Sequence, residues 1–416
     1  MTRLRTLPLL ALSILATPAL AEDWPGWLGP RRDGSSTATI KPWKDDLEVV
    51  WKKSVGEGHS SPIVAGGKVF LHSKVQEDRE AEQVTAYDAK TGKVAWTKSY
   101  PRTKFKSLFG AGPQSTPTVS GGKLYSYGAT GLLTCFDAAK GKQLWQADTQ
   151  KEFAPPALTF GTACSPLVEG DNVYVNVGGK GASVVAFAKE DGKVAWQQLD
   201  DRASYSSGIA FGPRGKREVA FLTQKGLRGF GAKDGKNLWE YKLVDKLNES
   251  STTPVFVGDT LLASSVTFGM VALKLEPSDD GVKVKELWKN PALTCYFSTP
   301  MPVGKKYVYV VAGKLSLLSP PSSTLYCVEV ATGKVAWKKD KVGKYHAALM
   351  RTGDDKLLML SDLGELVLID PDPKEYKELA RTKFEKSDQI WAHPAVSGGL
   401  LYYRDERELY CLRLPE

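Results

Sequence analysis

A chain of 416 residues with 42% apolar and 25% charged side chains has the composition of a folded globular protein, which excludes a disordered one. The length exceeds a usual single domain, so either two or three domains or one large repeat architecture is expected. The formal charge of +9 is spread over turns such as Thr91-Gly92-Lys93, with no dense basic run interleaved with aromatics, and this argues against a nucleic-acid surface.

At the start of the chain, Arg3 and Arg5 precede an apolar stretch from Leu7 to Leu15, and Ala19-Leu20-Ala21 gives a small-x-small cleavage pattern. Residues 1–21 are therefore predicted to be a cleavable secretory signal, with a periplasmic or extracellular mature protein. The apolar run is too short to span a bilayer, and no later segment approaches the ~20 apolar residues a membrane helix needs. No Cys follows the cleavage site, so no lipid anchor is expected. Residues 22–46 are rich in Pro and Gly and carry Trp24, Trp27 and Trp43, which predicts an arm packed on the folded body rather than a free linker.

Over residues 47–416 one pattern recurs: Ser/Thr-Pro, a Gly turn, two apolar strands, then a Gly-Lys turn and Trp. In 88–96, 137–145 and 329–337 an acidic residue stands eight positions before the Trp and Gly stands four before it; Gly192 and Gly235 keep the second spacing. Gly permits the positive φ of a tight hairpin, so each copy is a small antiparallel sheet. Trp51, Trp96, Trp145, Trp196, Trp239, Trp288 and Trp337 end successive copies at intervals of 43 to 51 residues, and Leu379 ends the next. That period, with four strands per copy, predicts an all-β propeller. The segment 47–51 is a final strand without its preceding three, and 391–412 holds three strands without a final one. Joined, they complete an eighth blade and leave no free edge. The repeated Trp side chains are expected to pack between blades. Cys135, Cys327 and Cys411 share a repeat position with Ala86, Ala186 and Gly229, so they read as small buried residues. Two copies are irregular: Glu276 to Gly281 lengthens one last hairpin, and Gly208 replaces the usual Pro.

The ending Asp-x-x-Thr-Gly-Lys-x-x-Trp resembles the repeat of the pyrroloquinoline-quinone-type propellers, and the start Trp24-Pro25-Gly26-Trp27-Leu28-Gly29-Pro30 is similar to that of many exported members. The resemblance covers nearly the whole mature chain. It implies one of two kinds of protein: a quinoprotein alcohol dehydrogenase, or the cofactor-free propeller scaffold of the outer-membrane β-barrel assembly machine. The enzymes' adjacent Cys-Cys pair and a Cys-x-x-Cys-His haem site are absent from this sequence, and the blade intervals leave little room for the insertions that build their active site. No Glu, Asn and Asp set matches their calcium and catalytic positions. No phosphate-binding loop, nucleophile elbow or His-Glu-x-x-His stands in the chain either. The expectation is a non-enzymatic binding or scaffolding protein of the cell envelope with a protein partner and no cofactor. The alternatives are a divergent quinoprotein oxidoreductase, with pyrroloquinoline quinone and calcium in the central funnel, and a saccharide-binding propeller.

The loops that lead into each blade converge on one mouth of a propeller channel. Aligned on the Pro of Ser60-Ser61-Pro62, the position three earlier is His59, Gln114, Ala163, Tyr205, Ser251, Phe297, Tyr345 and Trp391 around the ring. His346 and His393 lie one and two positions further along their own loops. His59, His346 and His393 belong to consecutive blades once the ring closes, and they are expected to face one cavity with Tyr345, Trp391 and Glu57 beside them. Such imidazoles could bind a ligand or partner group, ligate a divalent metal, or only satisfy loop backbone.

Overall fold

The repeated ending folds as a tight hairpin followed by an outer strand. In 88–96 the Asp88 carboxylate accepts hydrogen bonds from the Thr91 amide (2.9 Å) and hydroxyl (2.7 Å). Gly92 then turns the chain at φ 65°, where other residues are strained. A Cβ there would also lie 2.7 Å from the ring of Trp51 in the adjoining sheet. The same holds for Gly141 against Trp96, Gly192 against Trp145, Gly235 against Trp196 and Gly333 against Trp288, at 2.5 to 2.6 Å. The repeat's Gly and Trp are thus two halves of one contact between neighbouring blades.

The computed structural model describes residues 22–76, 79–278, 281–314, 320–384 and 389–416; the predicted signal at 1–21 lies outside them. The strands form eight separate four-stranded antiparallel sheets, the blades of a propeller. Blade 1 is built from Ile63–Ala65, Lys68–Lys74, Ala81–Asp88 and Val94–Pro101. Blades 2 to 7 follow in order over 118–148, 167–198, 209–242, 255–290, 301–343 and 347–383. Blade 8 takes three strands from 395–413 and its fourth, Val49–Ser54, from the other end of the chain. That closing strand pairs Trp51 with Cys411 and Ser54 with Glu408. Among the described residues no helix is long and apolar enough to cross a membrane.

Six of the seven repeat tryptophan indoles also donate to the next blade, among them Trp51 to Ala89 O (3.0 Å), Trp96 to Ala138 O (3.1 Å), Trp145 to Lys189 O (3.1 Å) and Trp196 to Ala232 O (3.2 Å). In three blades a tyrosine hydroxyl shares that acceptor, from Tyr402 to Ala89 O, Tyr125 to Lys189 O and Tyr174 to Ala232 O. Cys135, Cys327 and Cys411 lie directly across the strand pair from Trp145, Trp337 and Trp51. In blade 4 the same position is Gly229, where a Cβ would sit 2.0 Å from the Trp239 ring. All five cysteines are buried and unpaired.

The irregular copies have local causes. Blade 5 extends its last hairpin through Gly269–Ser278 and Gly281–Asn290, so the Gly turn that would receive Trp239 is displaced. The Trp239 indole turns to the Glu218 carboxylate at 2.9 Å instead. Gly208 stands where six of the other blades have Pro and blade 7 has Ala348, and the Phe221 ring occupies the space there, 2.4 Å from where a Cβ would lie. Leu379 has no hairpin to meet, since that turn in blade 8 is opened into the two chain ends. Trp43 of the arm fills the place, donating to Thr382 Oγ1 at 2.7 Å and packing in the same cluster as Leu379 and Leu414.

The first part of the arm, from Trp24 to Ser36, enters the channel of the ring, while Trp43 further along packs on the outer strand of blade 7. Trp24 pairs with Val64 on the inner strand of blade 1, and Pro25 O accepts from Val119 of blade 2. Arg32 donates to Pro166 O of blade 3, the Trp27 indole to Thr253 Oγ1 beside blade 5, and Gly34 and Ser36 bond the backbone of Arg351 in blade 7. Trp24, only 1% exposed, stacks on His393 at the edge of blade 8 (6.3 Å, 13°). Asp23 caps Gly66 in a first-to-second-strand turn, so the arm enters from the face opposite the inter-blade loops.

Candidate functional site

Three successive positions in each inter-blade loop take three different roles. At five blade junctions the residue just before the repeat's Pro, or its equivalent, knits the ring, its amide reaching a hydroxyl of the next blade. Ser61 N donates to Thr116 Oγ1 (3.1 Å), Thr116 N to Ser165 Oγ (3.0 Å), Ser165 N to Ser207 Oγ (2.9 Å) and Thr253 N to Thr299 Oγ1 (3.3 Å). His393 N joins blade 8 to blade 1 in the same way, on Ser61 Oγ (2.9 Å). One position earlier, Ser60, Ser115, Cys164, Ser206, Thr252, Ser298, His346 and Ala392 are all buried. The position before that turns toward the axis.

There it lines a cup of about 120 Å³ whose walls include His59, Gln114, Ala163, Tyr205, Ser251, Phe297 and Trp391. Trp27 of the arm, Phe109, Phe160, Ser165, Ser207, Glu249 and Tyr296 complete it. Trp391 is its hub. Phe109 and Phe297 meet that indole edge-on (5.2 Å at 62° and 5.4 Å at 74°), while His59, Tyr345 and His346 lie nearly parallel to it, each at 5.5 Å. The aromatic contacts run on from Phe109 to Phe160 and from Phe160 to Tyr205, each 5.5 Å. On the other side Phe297 meets Tyr296 at 4.0 Å. Glu249 closes the belt, its carboxylate accepting from the Tyr296 hydroxyl. Burial, and then Glu249, pushes that phenol above its usual range.

The three histidines separate. His59 faces the cup, and burial, the field of Arg404 and His346 lower its pKa to about 3, so it is neutral. His346 is buried with Nε2 against Ile390 O (2.9 Å). His393 has Nδ1 at Pro394 O (2.8 Å) and Nε2 at Leu349 O (3.0 Å). Both border a separate void of about 20 Å³ and both have lowered pKa values, chiefly from burial. The expectation that all three imidazoles face one cavity is therefore corrected: only His59 does, because the neighbouring loop positions are used for burial and for the hydroxyl ring. Among the described residues no three His, Cys, Asp or Glu side chains are arranged to hold a metal. Tyr345 stacks on Trp391 without lining the cup, and Glu57 accepts from the Ala111 amide (2.8 Å) at the rim.

Phe109, Phe160, Glu249 and Tyr296 were invisible to repeat alignment because they lie upstream in loops that do not repeat. The available signal was loop length, since 102–117 and 149–166 are the longest connections on that face. The fourth histidine, His72, belongs to a buried cluster between blades 1 and 2, 2.7 Å from the Tyr100 hydroxyl and 3.2 Å from Glu82. Burial would raise the Glu82 carboxyl, but His72 and Arg102 (2.8 Å) overcome it and hold it below its usual range.

A pyrroloquinoline quinone is a tricarboxylate, and the cup does not suit it. The walls hold no Lys or Arg and a single carboxylate, Glu249, while Trp27 and Trp391 occupy the axis.

Eight blades joined by tryptophan contacts, around an aromatic cup, define a quinoprotein-type propeller. Within that class the chain belongs to the family described as outer membrane protein assembly factor BamB, which it matches over residues 40–108 and 82–339. It is 27% identical over 312 residues to the outer membrane protein assembly factor BamB of Burkholderia pseudomallei (strain K96243), covering 71% of this chain and 70% of that one. The crystal structure of BamB from Moraxella catarrhalis superposes with a TM-score of 0.59 at 13% identity, over 89% of this chain and all (100%) of that one. The quinohemoprotein alcohol dehydrogenase from Comamonas testosteroni gives a TM-score of 0.67 at 14% identity, over 95% of this chain and 82% of that one. At those identities the two structures speak for the fold alone.

Proposed function

We propose that this protein is a non-enzymatic scaffold of the cell envelope that serves outer-membrane protein assembly by holding a protein partner on the face of its inter-blade loops. The observation that carries this reading is the character of that face. Leu108, at the tip of the long 102–117 loop, is 87% exposed, and Leu247 and Leu363 on the same face are 56% and 53% exposed. Apolar side chains exposed together on one face are the kind of surface a protein contact covers. Family membership and a cup unsuited to a quinone support it. The export signal expected at 1–21 supports this reading, since such a partner works outside the cytoplasm.

The test is a photo-crosslinking amino acid at Leu108, with the same group at Lys140 on the opposite face as control, in the native envelope. Leu108 is expected to give one stoichiometric adduct with a component of the assembly apparatus and Lys140 none. Equal labelling from both faces, or no adduct from either, would contradict the proposal.

A further inference from the structure

We propose that the cup is a binding site for a small alkylated ammonium ion, a ligand class separate from the protein partner and independent of the scaffold reading. The geometry is a closed belt rather than a platform. From Tyr205 through Phe160, Phe109, Trp391 and Phe297 to Tyr296 each ring touches the next, at 4.0 to 5.5 Å between centroids. Phe109 and Phe297 meet Trp391, and Tyr296 meets Phe297, at 62° to 74°, so the rings wrap around the cup instead of lying in one plane. A sugar favours a single flat face, whereas a methylated ammonium presents apolar, positively polarised groups in every direction and is held by several faces at once.

Charge selects the same ligand. Glu249 is the one ionisable carboxylate on the walls, and no lysine or arginine faces it across the cup. Its Oε2 accepts from the Tyr296 hydroxyl, which fixes the carboxylate at the gap where the belt lacks a ring. His59, with its pKa near 3, brings no positive charge at neutral pH. Arg404, whose field reaches His59, is turned away to Gly56 O (2.9 Å), Asp405 O (2.8 Å) and Glu406 O (3.1 Å) and does not line the cup. In a protein with a formal charge of +9, an aromatic cup with an uncompensated carboxylate is a local exception that favours a cation. The space of about 120 Å³ exceeds what one water needs and admits a headgroup of a few heavy atoms.

The experiment is calorimetric titration of the mature chain, in sodium phosphate free of amine buffers, with choline and with its neutral isostere 3,3-dimethylbutan-1-ol. The two share shape and differ in charge. Choline is expected to bind about tenfold more tightly, the size of a desolvated cation–π contribution. Glu249→Gln, which keeps the hydrogen bond from Tyr296, is expected to weaken choline about tenfold, to leave the isostere unchanged and to leave Tm in place. Equal affinity for the two probes, absence of choline binding at millimolar concentration, or choline affinity unaffected in Glu249→Gln would each overturn the proposal. The comparison of probes needs no variant, so it stands even if the substitution disturbs folding.

Discussion

Gly192 and Trp145 show how much of this molecule rests on single contacts. The Gly192 turn has φ 74°, and a Cβ would lie 2.6 Å from the Trp145 ring. Gly192→Ala should therefore destabilise the protein by about 1–3 kcal/mol, from backbone strain and the displaced indole. Trp145→Phe should cost less, since it keeps most of the packing and gives up chiefly the bond to Lys189 O, worth about 1 kcal/mol. Urea unfolding of the two variants measures the order; Trp145→Phe as the more damaging change would contradict it. The histidines set a pH dependence. His59, His346 and His393 have folded pKa values below the ~6.5 of an unfolded imidazole. As pH falls below about 6.5 the unfolded chain takes up protons that the folded one refuses, so stability falls toward pH 3. His59→Gln is expected to lose less stability than the parent between neutral pH and pH 4.5, read by urea midpoints; an equal loss would show that His59 takes up its proton as readily in the folded chain as in the unfolded one. The cup position of His59, Gln114, Tyr205, Phe297 and Trp391 was legible in the sequence because it repeats. His346 and His393 misled, because adjacent residues of a loop point to different places and residue type alone does not say which.

At the scale of elements, the hairpins and their order could be read from spacing, since Gly and Trp occupy fixed positions for a mechanical reason. The long hairpin of blade 5 was visible as an insertion, but its effect on Trp239 was not, because that effect depends on the next blade. The arm was harder. Its three tryptophans signalled packing, yet nothing local in 22–46 says that the segment enters the channel, where its partners come from blades hundreds of residues apart. Trp24 is the anchor of that insertion. Trp24→Ala should destabilise by about 3–5 kcal/mol, as for other large buried aromatics, and should also weaken the floor of the cup. Chemical denaturation with tryptophan fluorescence checks it; a change under 1 kcal/mol would show the arm to be dispensable to the ring.

For the molecule as a whole, closure by Val49–Ser54 makes the two ends of the chain one blade, which removes the exposed edges of an open sheet. The ring leaves two faces with different equipment. One admits the arm, and the other carries long loops, exposed leucines and an aromatic cup. The fold could be read from the repeat, whereas the filling of the channel could not, because the arm's partners lie on blades far apart in sequence. The proposed role of this propeller is binding rather than oxidation. It is tested most directly by incubating the mature protein with pyrroloquinoline quinone and calcium, removing unbound quinone, and recording both the absorbance and dye-linked alcohol or sugar oxidation. No retained quinone and no turnover are predicted; a stoichiometric quinone that supports oxidation would contradict the account.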